Sequence, residues 1–394
     1  MRNIYTLVCL LSLVFIAACS SVKQQKNKTL VVENTLAVER SNETIELSKE
    51  ILGVNDLTEL GIKEVSTGNL LVTQLVDNDG DGTMDVLLFQ PLVKPSSQAK
   101  FKVVSISKEE QTKSDLVCYS RFVPERTDDY TWENDKVAFR VYGPLAQQIF
   151  ESGKKGGTLS SGVDAWLKKV EYPIINKWYH KTLVTKTGSY HKDTGEGCDN
   201  FHVGVSRGVG GIAVRNNGEF YYSKNYTKWR TITTGPLRTS FYLEYKSWDA
   251  GGKEIKESKI ISLDKGNNFS KFETSVEGTE SIYAGLTLHE KDGEVSGNIE
   301  NGWVTYWQPH LGSELGTAIV ADKGTFKDFE KYDVEAKDLS NAYAHLKVAD
   351  SKVVYYAGFA WKESKQYPTK ASWVAYLNQF SSQINNPLTV TVLN

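Results

Sequence analysis

Two histidines border a glycine-rich stretch at 190–211, and their type and setting suit proton transfer. The residues around His202 alternate, with apolar side chains on one face: Phe201, Val203 and Val205. His202 therefore takes the opposite face of a strand-like segment. Imidazole titrates near neutral pH, and the glycine-rich turn allows the segments carrying His191 and His202 to approach each other. The stretch predicts that these histidines act in proton transfer or sugar binding.

Two other roles remain open for the same stretch. One is a metal cluster built from His191, Asp193, Glu196 and Asp199, although their spacing matches no closed zinc pattern. The other is a purely structural role for both histidines.

A second polar stretch, 121–142, is dense in Arg, Asp and Glu around Trp132. Its last seven residues alternate strictly, with Arg140 and Tyr142 opposite an apolar row, which predicts a half-buried strand. We interpret the open face as the wall of a polar, sugar-sized cleft. The predicted substrate-binding residues are Arg126, Glu133, Asp135, Arg140 and Tyr142. The alternative is an exposed strand face beside a salt-bridged loop.

A third candidate surface lies at 219–248, where aromatic residues alternate with polar ones. Trp229 and Arg230 precede a strand that carries Arg238, and an aromatic ring beside an arginine suits a sugar. We therefore add Trp229 and Arg238 to the predicted substrate-binding set. Simple packing of Trp229 is the alternative.

The segment 77–85, here called the aspartate loop, resembles the start of a calcium-binding loop. Its carboxylates recur at alternate positions, with Gly82 sixth, where a sharp turn is needed: Asp77, Asp79, Asp81 and Asp85. Leu88 stands at the twelfth position, where a bidentate glutamate is expected. The loop predicts either a structural calcium site or a hairpin turn favoured by Asp and Gly. No organic cofactor is expected.

The first residues have the pattern of a bacterial lipoprotein signal. Arg2 precedes a short apolar run, and the segment ends Ile16-Ala17-Ala18-Cys19, with small residues before a thiol. We predict a signal peptide at 1–18, lipid attachment at Cys19 and a polar tether at 19–28. The chain is then exported and reaches the membrane through its lipid. Cys118 and Cys198 are either a disulfide or two buried thiols.

The rest of the sequence indicates an all-β protein in two parts. Short strand-like runs separated by turn residues fill 29–108, which predicts a small immunoglobulin-like β-sandwich. A large β-sandwich with a few short helices is predicted over 117–394. One helix is expected after the Ser161–Asp164 capping box, and another from Ser372. With a formal net charge of -2, the chain offers no basic surface for nucleic acid.

Three segments together carry a resemblance to a known family: the aspartate loop, 121–144 and 189–211. They resemble a formerly uncharacterised polysaccharide-utilisation family whose members include an ulvan oligosaccharide dehydratase. The resemblance spans about 40–394. It implies a large sandwich like that of galactose mutarotases and several polysaccharide lyases. It also implies loss of water across C4–C5 of a terminal uronic acid, which leaves an unsaturated sugar.

Such a reaction needs a cation at the carboxylate, a base for the C5 proton and an acid for the departing hydroxyl. The planar fork of arginine fits a carboxylate. The catalytic residues expected on this basis are His191, His202, Tyr190 and Arg207. Two rival functions remain, a non-catalytic glycan-binding lipoprotein and an endo-acting polysaccharide lyase. In every case the expected partner is an anionic oligosaccharide.

Overall fold

A computed structural model describes residues 28–336 and 338–393. The predicted signal peptide, Cys19 and the tether up to residue 27 lie outside the described residues. Within the described part, no helix is long and apolar enough to cross a membrane.

The small sandwich consists of two antiparallel sheets that share one apolar core. Leu30, Ile62 and Phe101 face this core from one sheet, and Leu47 and Phe89 face it from the other. Helix α1 (Lys49–Leu52) follows the second strand. The strands are β1 (Thr29–Asn34), β2 (Ile45–Ser48), β3 (Leu60–Glu64), β4 (Thr73–Val76), β5 (Val86–Phe89) and β6 (Ser97–Ser105).

The next part of the chain forms a five-stranded sheet with the strand order 11-10-9-8-7. Its strands are β7 (Tyr119–Val123), β8 (Asp129–Glu133), β9 (Ala138–Val141), β10 (Asp164–Lys168) and β11 (Gly197–Cys198). Helix α2 (Pro144–Glu151) lies between β9 and β10, and α3 (Ile175–Tyr179) follows β10.

One expectation for this region is wrong. The segment after Ser161 forms strand β10 rather than a helix. All five residues of β10 are buried, so the strand lacks the alternation that identifies a half-exposed one. Asp164 pairs with Arg140 on β9, and this long-range contact overrides the local capping pattern.

Two further sheets complete the second sandwich. Their strand orders are 13-12-19-24-23 and 14-15-17-18-25-22-21-20, and β16 pairs with β17. Their strands are β12 (Val209–Asn216), β13 (Glu219–Tyr221), β14 (Tyr226–Thr233), β15 (Arg238–Tyr245), β16 (Trp248–Asp249), β17 (Glu254–Asp264), β18 (Phe269–Glu277), β19 (Ser281–Thr287), β20 (Glu294–Asn298), β21 (Trp303–His310), β22 (Ser313–Val320), β23 (Phe326–Tyr332), β24 (Asn341–Lys347) and β25 (Lys352–Trp361). A continuous apolar core joins these sheets to the inner face of β8–β10.

Helix α4 (Lys370–Asn385) follows the predicted pattern. Thr369 is its N-cap, and Ser372 forms the reciprocal half of a capping box. Trp373, Leu377 and Phe380 are buried along one stripe, as their spacing predicts.

The last strand changes the predicted domain boundary. β26 (Thr389–Leu393) pairs antiparallel with β1 and so belongs to a sheet of the small sandwich. The large sandwich therefore does not extend to residue 394. Because the apolar side chains of β26 pack on the small core, the chain returns to its first domain to close it.

Candidate functional site

The two faces of strands β8–β10 have different environments. Phe139 and Trp132 point into the main core, as the alternation predicts. The opposite face is not open to solvent, because a second apolar cluster covers it. That cluster includes Trp166 on β10 together with Trp178, Tyr179 and Tyr190. Only the edge of this face, at Arg140 and Tyr142, reaches a cleft.

Arg140 is the centre of a buried charge cluster. Its guanidinium lies 2.5 Å from an Asp164 oxygen, 2.9 Å from an Asp199 oxygen and 3.7 Å from an Asp129 oxygen. The Tyr142 hydroxyl donates to the same Asp164 oxygen at 3.2 Å. One arginine thus faces three carboxyl groups with little water to screen them.

This crowding raises the pKa of two of the carboxyl groups. Burial, and then the Asp199 charge, raise the pKa of Asp164 to about 8. Burial raises the pKa of Asp129 to about 6. Burial also raises the pKa of Tyr142 well above its usual value, so its hydroxyl keeps its proton.

The cleft beside this cluster has a volume of about 490 Å³, which fits a small sugar fragment. His191 and His202 both line it, together with Arg140, Tyr142 and Asp199. The structure therefore brings together the two predicted histidines and two of the predicted substrate-binding residues. Phe150 on α2 also lines the cleft and is 48% exposed, which provides an aromatic surface that the sequence did not reveal.

Each histidine has a fixed partner. His191 Nδ1 lies 2.6 Å from the Asp199 carbonyl oxygen and must donate to it, which leaves Nε2 of the neutral ring as an acceptor. His202 Nε2 lies 3.0 Å from an Asp338 carboxylate oxygen. Both side chains are about 60% exposed, so their remaining ring atoms are accessible.

The cleft continues past His202 into a second compartment of about 470 Å³. His202 and Asp338 line both spaces and separate them. Glu290, Lys291 and Glu335 also line the second compartment.

Two further histidines stand behind the cleft wall. His289 Nε2 lies 2.7 Å from the His202 carbonyl oxygen. His310 Nε2 lies 3.1 Å from the Asn200 side-chain oxygen. Both contacts reach the segment that carries His202.

Arg207 and Tyr190 are buried and do not line the cleft that contains the two predicted histidines. Arg207 is buried in the large sandwich, with its guanidinium 4.0 Å from the centre of the Tyr222 ring and bonded to the Ser161 hydroxyl. Burial lowers the pKa of Arg207. Tyr190 packs against Trp166, and its hydroxyl accepts a hydrogen bond from Arg126.

Two other predicted cleft residues hold the backbone instead. Glu133 is buried, binds Lys168 at 2.9 Å and accepts from the amides of Ile174 and Ile175. Asp135 accepts from the Gly266 amide at 2.7 Å.

The third candidate surface divides between two places. Trp229 stacks on Phe122, with ring centres 4.6 Å apart, on the outer strand β14. Arg238 bridges Asp264 and Glu46, each at 2.5 Å, and so links the large sandwich to the small one. The alternative metal cluster is not assembled, because within the described residues the one group of three or more potential ligands that converges is Asp77, Asp79 and Asp85.

The aspartate loop connects β4 to β5. Asp77, Asp79 and Asp85 offer oxygens that all lie within 4.8 Å of one another, which suits the oxygen preference of calcium. Hydrogen bonds from the Gly80 and Gly82 amides lower the pKa of Asp77, so it is ionised and able to bind a cation. Asp81 instead accepts from the Thr83 amide. The structure thus brings together three of the four predicted carboxylates.

The predicted cysteine alternatives are resolved in favour of two thiols. Cys118 and Cys198 are both free and buried. Burial raises the pKa of Cys198 to about 11.

Comparison with known proteins defines the family. Residues 32–390 match a family described as a domain of unknown function, DUF4861. The chain belongs to this family. It is also 52% identical over its full length, and over the full length of the relative, to "Uncharacterized protein P7" of Formosa agariphila.

Solved structures support the fold alone. The chain resembles a glycosyl hydrolase family 38 protein from Enterococcus faecalis with a TM-score of 0.52 and 11% identity. The match covers 95% of this chain and 48% of that one, so the chain spans about half the length of this neighbour. An α-mannosidase from Enterococcus faecalis V583 matches with a TM-score of 0.46. The prediction of an all-β chain with sandwich-like sheets is confirmed.

Proposed function

We propose that this DUF4861 chain is a carbon–oxygen lyase that dehydrates the terminal uronic acid of ulvan-type oligosaccharides. Water leaves across C4–C5, and the product carries an unsaturated uronate. The observation that carries the proposal is that His191 and His202 line one sugar-sized cleft, each with a fixed hydrogen-bond partner. The resemblance of 121–144 and 189–211 to a family with an ulvan oligosaccharide dehydratase supplies the reaction type.

His191 is the proposed base. Its Nδ1–H donates to a backbone carbonyl, so Nε2 has the free lone pair that must take the C5 proton. His202 is the proposed acid for the departing hydroxyl at C4. The Asp338 carboxylate orients its ring and balances the charge that the ring carries when protonated.

The carboxylate of the substrate meets a different environment from the predicted arginine clamp. The guanidinium of Arg140 is already bound by Asp164 and Asp199, so it brings no surplus positive charge. The cation proposed for the substrate carboxylate is protonated His202, whose ring is 59% exposed and is bound by Asp338 at one nitrogen only. Tyr142 keeps its proton, but its hydroxyl already donates to Asp164.

Supporting roles are proposed for the membrane and for calcium. The lipobox at 16–19 supports export and lipid attachment at Cys19, with the chain at the bacterial membrane. The carboxylates of the aspartate loop support a structural calcium ion, remote from the proposed chemistry. A calcium ion there would stabilise the β4–β5 turn by binding its carboxylates. Arg230 on β14 contacts the same turn, through a 2.9 Å hydrogen bond to the Asn78 carbonyl oxygen.

Incubation with defined uronate-ended ulvan fragments tests the proposal. The expected product absorbs in the ultraviolet through its conjugated double bond and is lighter than the substrate by one water. His191→Ala and His202→Ala are each expected to lower turnover by about 10²-fold or more, with little change in melting temperature. His345→Ala is the matched control. His345 does not line the cleft; its ring stacks on Tyr283 in the five-stranded sheet that contains β12.

The product distinguishes the rival functions. Two shorter fragments in place of dehydration would indicate an endo-acting lyase. Binding without any product would indicate a glycan-binding lipoprotein and would refute the proposed reaction.

A further inference from the structure

His289 and His310 hold one short segment of the cleft wall from behind. His289 follows β19, and His310 ends β21. The His289 ring meets the Phe201 ring edge-on at 4.4 Å, in addition to its contact with the His202 carbonyl. With His310 bonded to Asn200, three consecutive residues ending in His202 are each contacted by one of these rings.

Both rings are neutral at pH 7. Burial lowers the pKa of His289, and burial together with the nearby His289 ring lowers the pKa of His310 to about 4. A carbonyl oxygen can only accept a hydrogen bond, so Nε2 of His289 must carry the proton of the hydrogen bond to the His202 carbonyl oxygen. Nδ1 of the neutral ring is then an acceptor, and it lies 3.2 Å from the Gln308 side-chain oxygen. A 180° turn of that amide, which has nearly the same shape in both orientations, would bring its unpaired Nε2 to Nδ1 as the donor.

The backbone at His289 adds an independent observation. Its φ is +32°, in the left-handed region that a side chain with a Cβ rarely adopts. Such a conformation is strained and persists where the surrounding contacts over-determine it. Two of those contacts, with the Phe201 ring and the His202 carbonyl oxygen, lead to the segment that carries His202.

We propose that His289 and His310 are positioning residues that fix Asn200–His202, so that the His202 ring faces Asp338 and the cleft. Neither ring exchanges a proton during the reaction. The catalytic consequence rests on the function proposed above, whereas the positioning itself does not.

The kinetic test compares two substitutions at one position. His289→Leu removes the donor to the His202 carbonyl, and we expect turnover to fall by about 10- to 100-fold, since small misplacements of a reacting group have effects of this size. KM is expected to change far less. His289→Gln retains an amide donor and is expected to recover much of the loss. His345→Gln, far from this segment, is the control.

A purely structural role would lower melting temperature and active fraction while leaving turnover per folded molecule unchanged. That result would overturn the proposal. Unchanged turnover in His289→Leu would overturn it as well. His310→Leu is expected to have a similar but smaller effect, because it contacts a side chain rather than the backbone of the segment.

A spectroscopic test separates this proposal from the proposed function. In protein labelled with ¹⁵N-histidine, the His289 ring is expected to be neutral at pH 7, with the proton on Nε2. His289→Leu is expected to shift the ring signals of His202, and His345→Gln is not. An imidazolium at His289, a proton on its Nδ1, or unmoved His202 signals would overturn the positioning role, even if no uronate substrate were turned over.

Discussion

Truncation of Arg140 is expected to damage the fold far more than a surface substitution of the same kind. Its guanidinium has contacts at 2.5 and 2.9 Å with Asp164 and Asp199, and these carboxyl groups are at most 3% exposed. Arg140→Ala would leave them without their cation. Breaking a buried ion pair in this way costs about 3–5 kcal/mol, against a total stability of about 5–15 kcal/mol for a typical domain.

The pH dependence of the variant follows from the same geometry. Without arginine, the buried carboxyl groups bind protons more tightly in the folded chain than in the unfolded one. A folded pKa raised in this way stabilises at low pH and loses that contribution as pH rises through it. The variant is therefore expected to regain stability as the pH falls from about 8 towards about 5.

Chemical denaturation at several pH values measures both effects. Arg215→Ala is the matched control, because Arg215 pairs with Glu330 at 3.1 Å and both side chains are about one-third exposed. That pair is expected to contribute about 1 kcal/mol or less. If Arg140→Ala costs no more than Arg215→Ala, or if its loss does not shrink at lower pH, the buried-cluster argument is refuted.

Four further outcomes are expected. Phe150→Ala should raise KM by about tenfold if the ring packs on a sugar, since loss of about 1.4 kcal/mol of binding free energy corresponds to that factor. Leu145→Ala, on the same helix, is the control and should leave KM unchanged. Asp164→Asn should match wild-type stability below the unfolded pKa of about 4 and exceed it increasingly as the pH rises towards the folded pKa of about 8, because a raised folded pKa stabilises fully only below the unfolded pKa and loses that contribution across this range. Chelation should lower the melting temperature through loss of a bound ion, and Asp79→Asn should abolish that shift; equal melting with and without chelator contradicts the calcium site. Cys19→Ala should leave an unacylated precursor in membrane fractions, and normal processing of that variant would contradict the lipoprotein prediction.

Local pattern was sufficient to predict much of the fold. The alternation around Phe139 predicted a strand with one face in the core, and the spacing of Trp373, Leu377 and Phe380 predicted α4. Both patterns depend on residues close in sequence. The pairing of His191 and His202 in one cleft was also predictable, because only a glycine-rich turn separates them.

The rest of the site depends on contacts that sequence spacing does not encode. Asp338 meets His202 across 136 positions, and the second apolar cluster that buries Arg140 comes from a separate segment. Arg207 was predicted to act in chemistry because the arginine fork fits a carboxylate, yet Tyr222 and backbone oxygens accommodate it in the core. Strand β10 was missed because burial on both faces removed its alternation.

The position of β26 has a consequence for how the protein is made. An N-terminal domain can usually fold as soon as it has been synthesised. Here β1 is paired on one side by β6 and on the other by β26, so its sheet is incomplete until nearly the whole chain exists. Until then one edge of β1 is an unpaired template for foreign strands. Of the two sandwiches, the one synthesised first is therefore the last to be completed. A short deletion near residue 390 would destabilise the sheet around residue 30.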